Sequence, residues 1–270
     1  MFNRIFDLPE GGFAQRIKHV IEPAVTFDFT SPINGYRRTP VLSDPSDFVV
    51  GGSTRVTYGL TNRLFSRSAP SAGARSSSTR ELVTVGLQQT YYSQPEASRY
   101  DGTYVSAQGA GAERDLSPVA MTVRVSPSAL FDTNARLEYD VFGGGLQTVT
   151  TGVTVNAARS GLTLNYSRQR LEPALPANSF ASASARTRLL DDRLSTSYTI
   201  SLDVARRYVV SQGVVAAYMA QCCGIQGEFQ QFNYPAGIGV PIPSDRRINV
   251  SFVLAGLGTF SNFFGAFGGL

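Results

Sequence analysis

The 270-residue sequence predicts an all-β fold, an antiparallel transmembrane β-barrel with about 12–13 strands present. Three observations carry this. Apolar side chains recur with a period of two, the signature of a strand with one apolar and one polar face. The alternating segments run roughly 10–13 residues, against about 5–6 for ordinary globular strands, and a tilted strand of about 9–11 residues crosses a bilayer. The polar faces are built from small hydroxyl residues with few charges, in a chain only 16% charged.

In chain order, Val25, Phe27 and Phe29 alternate with Ala24, Thr26 and Asp28. Ala135, Leu137, Tyr139 and Val141 alternate with Asn134, Arg136, Glu138 and Asp140, and Val149, Thr151, Val153 and Val155 alternate with Thr148, Thr150, Gly152, Thr154 and Asn156. Leu194, Thr196, Tyr198, Ile200, Leu202 and Val204 share one face of a strand whose other face is Ser195, Ser197, Thr199, Ser201 and Asp203. Ile248, Val250, Phe252 and Leu254 repeat the pattern near the end. Tyr91, Tyr92, Tyr139, Tyr166, Tyr208 and Phe232 stand near segment ends, where aromatic girdles meet the membrane interfaces.

Short turns are expected at Gly143–Gly145, Arg159–Gly161 and Asp191–Asp192, and longer connections at Ser31–Asp47, Ser66–Thr79, Gln94–Ser117 and Asn233–Asp245. A soluble β-sandwich would also alternate, but with shorter strands. The boundaries expected are a leading segment over 1–17, barrel strands over 18–258 and a Gly/Phe-rich tail over 259–270.

Several function classes fall away. The longest uninterrupted apolar run, Val214–Ala220, is too short for a membrane-spanning helix. The net charge of +4 is dispersed over pairs such as Arg37-Arg38 and Arg206-Arg207, so no nucleic-acid partner is expected. One histidine, His19, and two cysteines are too few for a structural zinc site or a disulfide scaffold. His19 reads as a structural or surface residue rather than a triad base, and Gly143–Gly145 lacks the lysine and helix of a phosphate loop. Neither an enzyme nor a cofactor or metal is expected. Met1–Phe13 carries Arg4, Asp7 and Glu10 and no continuous apolar stretch, so it is not a signal peptide, and the expectation is that the true N-terminus lies upstream.

Cys222 and Cys223 are adjacent. Neighbouring Cα atoms lie about 3.8 Å apart, whereas a relaxed disulfide wants about 4.4–6.8 Å, so no bond between the two is expected. Two readings stay open from the residues alone: a pair of small buried hydrophobes, or thiols awaiting a partner elsewhere.

Lys18-His19-Val20-Ile21-Glu22-Pro23 resembles the signature of the C-terminal barrel of the LptD family of lipopolysaccharide-assembly outer-membrane proteins. Tyr58-Gly59-Leu60-Thr61-Asn62-Arg63-Leu64 resembles its Y-G-L-x-N-R-L strand, and Leu254-Ala255-Gly256-Leu257-Gly258 its closing L-x-G-L-G segment. The tail after Thr259 departs from the terminal aromatic usual in barrels. The resemblance implies a barrel of about 26 strands, of which this chain is the C-terminal half. It implies an outer-membrane location and transport of lipopolysaccharide into the outer leaflet. It also implies a lipoprotein plug, LptE, a periplasmic bridge, LptA, reached through an N-terminal jellyroll, and folding by the barrel assembly machinery. In the family, a cysteine pair like Cys222-Cys223 is bonded to cysteines of the N-terminal region. A complete, smaller porin-like channel is the alternative. Arg124, Arg136 and Arg186 face the lumen side of the alternation, to meet lipopolysaccharide phosphates or to be balanced by Glu138 and Asp140. Counting back from a periplasmic C-terminus, Asn233–Asp245, Leu171–Asn178 and Gly143–Gly145 fall outside the cell. Cys222-Cys223, Asp191-Asp192 and Arg159–Gly161 fall at the periplasmic end.

Overall fold

The computed structural model describes residues 1–9, 14–38, 48–67, 78–107, 113–170, 176–233, 244–254 and 258–260. It is all-β apart from three short 3-10 turns, and its strands form one sheet ordered as the sequence, β1 to β14. Neighbouring strands are antiparallel from β1 to β6 and from β9 to β14. The chain clusters into two compact units, one of residues 1–151 and 167–177, the other of 152–166 and 178–270.

In the first unit, β1 (Phe2–Asp7) pairs with β2 (Arg16–Thr30), so the sheet begins inside the expected leading segment. β3 (Ser53–Arg67), β4 (Thr79–Tyr92), β5 (Val119–Ser128), β6 (Phe131–Asp140) and β7 (Gly145–Asn156) follow. Register and alternation assign the faces. Asp28 lies opposite Arg55, Thr57 opposite Thr90, and Ala120 opposite Glu138, which puts the polar residues of five strands on one side. On the other side stand Val25, Phe27 and Phe29, exposed by 60%, 73% and 73%, with Tyr58, Leu60, Leu87 and Tyr139 also exposed. The fully buried large side chains are mostly polar: Tyr92, Tyr104, Glu138, Thr90, Thr148 and Asp140 accompany Val20. A water-soluble domain buries the opposite set. This inversion suits a sheet whose apolar side meets lipid and whose polar side meets water or folded loops.

The second unit holds the rest of β7, most of β8 (Ser160–Gln169), then β9 (Asn178–Leu189), β10 (Leu194–Asp203), β11 (Tyr208–Met219), β12 (Cys223–Phe232), β13 (Asp245–Leu254) and β14 (Gly258–Phe260). Leu194, Tyr198, Ile200 and Leu202 share the face that carries exposed Val214, Ile225 and Ile248 across the register, as the alternation predicts. The twelve long strands β2–β13 agree with the about twelve or thirteen expected, and β1 and β14 bring the described residues to fourteen. The additions are a six-residue and a three-residue strand at the ends, too short for the alternation to reveal. Residues 255–257 of the closing motif, 261–270 of the tail and most of the connections at 68–77, 171–175 and 234–243 lie outside the described residues.

The turn between β9 and β10 departs from its sequence. The Arg193 amide donates to the Leu190 carbonyl at 3.1 Å across Asp191 and Asp192. Their φ angles of 53° and 65° lie in the left-handed region, as does Leu190 at 53°. An L residue there costs about 1–2 kcal/mol, less for Asp, and Asn-Gly is the pair this hairpin geometry prefers. Asp191→Asn/Asp192→Gly is therefore expected to stabilise the folded chain by about 1 kcal/mol. A raised urea midpoint in lipid vesicles would show it; a lowered one would refute the strain. At the β7–β8 turn the structure corrects one expectation. The turn is Ala157–Arg159, and Gly161 lies within β8.

Candidate functional site

The polar side of the first unit carries a folded strap. The connection after β4 was expected to be a plain loop. Instead it makes two 3-10 turns, Pro95–Tyr100 and Val105–Ala107, and returns along β4 before β5. The return is ordered by backbone pairing: Tyr92 N donates to Asp115 O at 2.7 Å and Ser117 N to Thr90 O at 2.8 Å. Side chains then fasten the strap to the sheet. The Tyr92 hydroxyl donates to Asp101 Oδ2 at 2.6 Å, and Arg55 stands 3.6 Å from the same carboxylate while pairing with Asp28 at 3.1 Å. The hydroxyls of Thr57, Thr90 and Tyr104 form a chain with 2.9 Å steps.

The tightest point is Glu138, with no exposed surface. Its carboxylate accepts the Val105 amide at 3.1 Å, the Ser106 amide at 2.8 Å, the Ser106 hydroxyl at 2.6 Å and Arg136 Nε at 2.9 Å. A buried carboxylate is tolerable when each oxygen is paired in this way. Arg114, further along the strap, pairs with Asp140. Outside the strands, Arg37 is held above the ordinary arginine pKa by the Tyr36 hydroxyl and then by Glu96, which it meets at 3.1 Å. The strap thus closes over one end of β3–β6 through charged and hydroxyl contacts. The alternation located its strands, but its docking was legible only as an aromatic and acidic enrichment, Tyr100, Asp101 and Tyr104, in a connection.

Lys18 to Pro23 lie within β2, with Lys18, Val20 and Glu22 on the polar side and His19, Ile21 and Pro23 on the apolar side. The register sets this segment directly against Tyr58–Leu64: Glu22 opposes Thr61 and Val20 opposes Arg63. Arg63 bonds Glu22 at 3.1 Å and reaches Glu81 at 3.8 Å, so the two motif strands are joined by an ion pair. Arg124 is paired with Asp132 at 3.1 Å and Arg136 with Glu138 at 2.8 Å. Asp140, a partner expected for those arginines, takes Arg114 instead. Tyr92 and Phe232 are corrected from the girdle expectation: register puts both on the polar side, Tyr92 buried and Phe232 under the Arg247 guanidinium at 5.7 Å. Tyr91 and Tyr139 stand exposed on the apolar side.

In the second unit, Cys222 and Cys223 occupy the β11–β12 turn and the start of β12, both exposed and both free. The sulfurs lie 3.3 Å apart with Cys222 Sγ donating to Cys223 Sγ. They stand at one end of β12, and the 233–244 connection leaves from the other.

Among the described residues no group of histidine, cysteine or carboxylate side chains is arranged to hold a metal. What the geometry offers is two chemically distinct faces, one for lipid and one for polar material. A family model described as LPS transport system D, LptD, matches residues 49–201, more than half the chain. The matched span includes the Tyr58–Leu64 strand, begins after Lys18–Pro23 and ends before Cys222. No curated protein matches the chain.

Proposed function

This chain belongs to the LptD family, and from that premise we propose that it is the C-terminal part of a large barrel that delivers lipopolysaccharide into the outer leaflet. At the level of the family, the function is lipopolysaccharide transport at the outer membrane, a transport role rather than an enzymatic one. The observation that carries the finer reading is the inverted burial of the long strands. Exposed Val25, Phe27, Phe29, Leu60 and Leu87 on one side suit lipid, and a polar side suits passage of a sugar chain. In this reading residues 18–258 belong to the barrel wall, with β1 added before them. The partners are an LptE plug, an LptA bridge reached through an N-terminal domain, and the barrel assembly machinery. The 31–52, 93–118 and 233–244 connections face outward, and the Cys222-Cys223 turn faces the periplasm.

Depleting the intact protein should leave newly made lipopolysaccharide short of the cell surface, measured by surface labelling. Unchanged arrival at the surface would overturn the reading. The exposed thiols support a bond to cysteines upstream. The intact protein is expected to change mobility with reductant on a gel, and Cys222→Ser/Cys223→Ser to abolish that change. Equal mobility of the parent with and without reductant would remove the disulfide.

A further inference from the structure

In the first unit Arg55, Arg63, Arg124 and Arg136 of the polar side each meet a carboxylate, as Arg247 of the second meets Asp245. Arg186 and Arg188 of β9 meet none among the described residues. The Arg186 guanidinium donates to the neutral Asn156 carbonyl at 3.1 Å, which orients it without cancelling its charge. Gly161 on β8 makes room for it, since a Cβ there would come within 2.8 Å of Arg186 Nε. Across the register Arg186 faces Ser197 and Arg188 faces Ser195, so hydroxyls flank both cations. Two residues apart on one strand, the arginines are separated by about 7 Å. Arg159 adds a third cation at the adjoining turn, where its carbonyl accepts the Arg188 amide at 2.8 Å. Its only described carboxylate is Asp191 at 3.6 Å, itself almost wholly exposed. Along the register row from Arg186 toward β12 the first polar-side carboxylate is Glu228, three strands away, or about 14 Å. That exceeds the screening length at physiological salt. Arg159, Arg186, Ser195 and Ser197 line one shallow hollow with Ser160 and Arg188.

We propose that Arg186 and Arg188, with Arg159 at the rim, form an anion site that takes phosphate monoester groups, in the transport reading those of the lipopolysaccharide headgroup. Guanidinium forks match phosphate oxygens with paired charge-assisted hydrogen bonds, and the serine hydroxyls supply further donors. The identity of the headgroup rests on the transport reading; the site itself does not. Its position near the β7–β8 and β9–β10 turns makes it a first polar contact for material reaching the sheet from that end.

The test uses the intact protein carrying this chain, in detergent micelles. It is titrated with lipopolysaccharide in mixed micelles, with the dephosphorylated lipid, and with inorganic phosphate alone. The parent should bind the phosphorylated lipid about a hundredfold more tightly than the dephosphorylated one, about tenfold for each arginine. Arg186→Gln/Arg188→Gln should remove most of that preference. Asn156→Asp, which hands Arg186 a carboxylate and keeps its hydrogen bond, should lose about tenfold, and Arg124→Gln should lose nothing. Saturable binding of inorganic phosphate with the same dependence shows that the free ion suffices; dependence seen only with lipid assigns the headgroup. Both outcomes sustain the site. A parent-like preference in Arg186→Gln/Arg188→Gln and in Asn156→Asp would overturn it. If the site fails while depletion still blocks surface delivery, the transport reading stands alone. If the phosphate dependence holds while depletion changes nothing, the site stands without it.

Discussion

Glu138→Ala is expected to release the strap from the polar side and to cost about 3–5 kcal/mol of folding stability, the range for breaking a buried, hydrogen-bonded ion pair. The truncation leaves the Val105 and Ser106 amides and the Arg136 guanidinium without the shared acceptor that Glu138, with no exposed surface, provides. Each orphaned donor carries a desolvation penalty of about 1–3 kcal/mol unless water enters. Glu138→Gln keeps one carbonyl acceptor and should fall between parent and Ala. Tyr92→Phe, which removes only the bond to Asp101, should cost about 1–2 kcal/mol and loosen the other end of the strap. Urea midpoints in lipid vesicles measure the stability, and cleavage of the strap by an added protease measures its release. Parent-like protection in Glu138→Ala would show that the backbone pairing at Asp115 and Ser117 holds the strap by itself.

Leu60→Arg should destabilise the membrane-inserted protein by about 2–4 kcal/mol, while Thr61→Arg one residue on should cost less than 1 kcal/mol. Leu60 lies at the middle of β3, and register puts it on the side with exposed Val25, Tyr58 and Leu87. Thr61 lies opposite Glu22, on the polar side where arginines are already paired. Only a sheet with lipid on one side and water on the other makes neighbouring positions differ so much. In a soluble sandwich with this face packed inside, Leu60→Arg would also be costly, but it would abolish folding in detergent. In a barrel wall the variant still folds in micelles and fails at the bilayer. Comparing the midpoints of both variants in micelles and vesicles separates the cases. Equal costs at the two positions would contradict the face assignment.

The fold was legible in the sequence because a period of two is a local property. Each residue's neighbours two places away report its face whatever the strand pairs with, so β2, β6, β7, β10 and β13 could be located from alternation alone. β1 and β14 escaped because six and three residues hold too few periods. The two motif segments, Lys18–Pro23 and Tyr58–Leu64, were legible as a likeness; that they lie side by side, joined through Glu22 and Arg63, follows from register. The partners of charged residues were not legible. Glu138 meets Val105 and Ser106 more than thirty residues away in sequence, and Asp140 meets Arg114 rather than the arginines of its own strand pair. Hydrogen bonds and ion pairs act over about 3 Å, so they are decided by which segments the chain brings within that distance. The same holds for Arg186 and Arg188, whose neighbours Ser195 and Ser197 come from β10 and Asn156 from β7, two strands away. Alternation determined which side each residue takes; tertiary structure decided which charges are neutralised there and which remain free, because that depends on contacts across strands that no local pattern records.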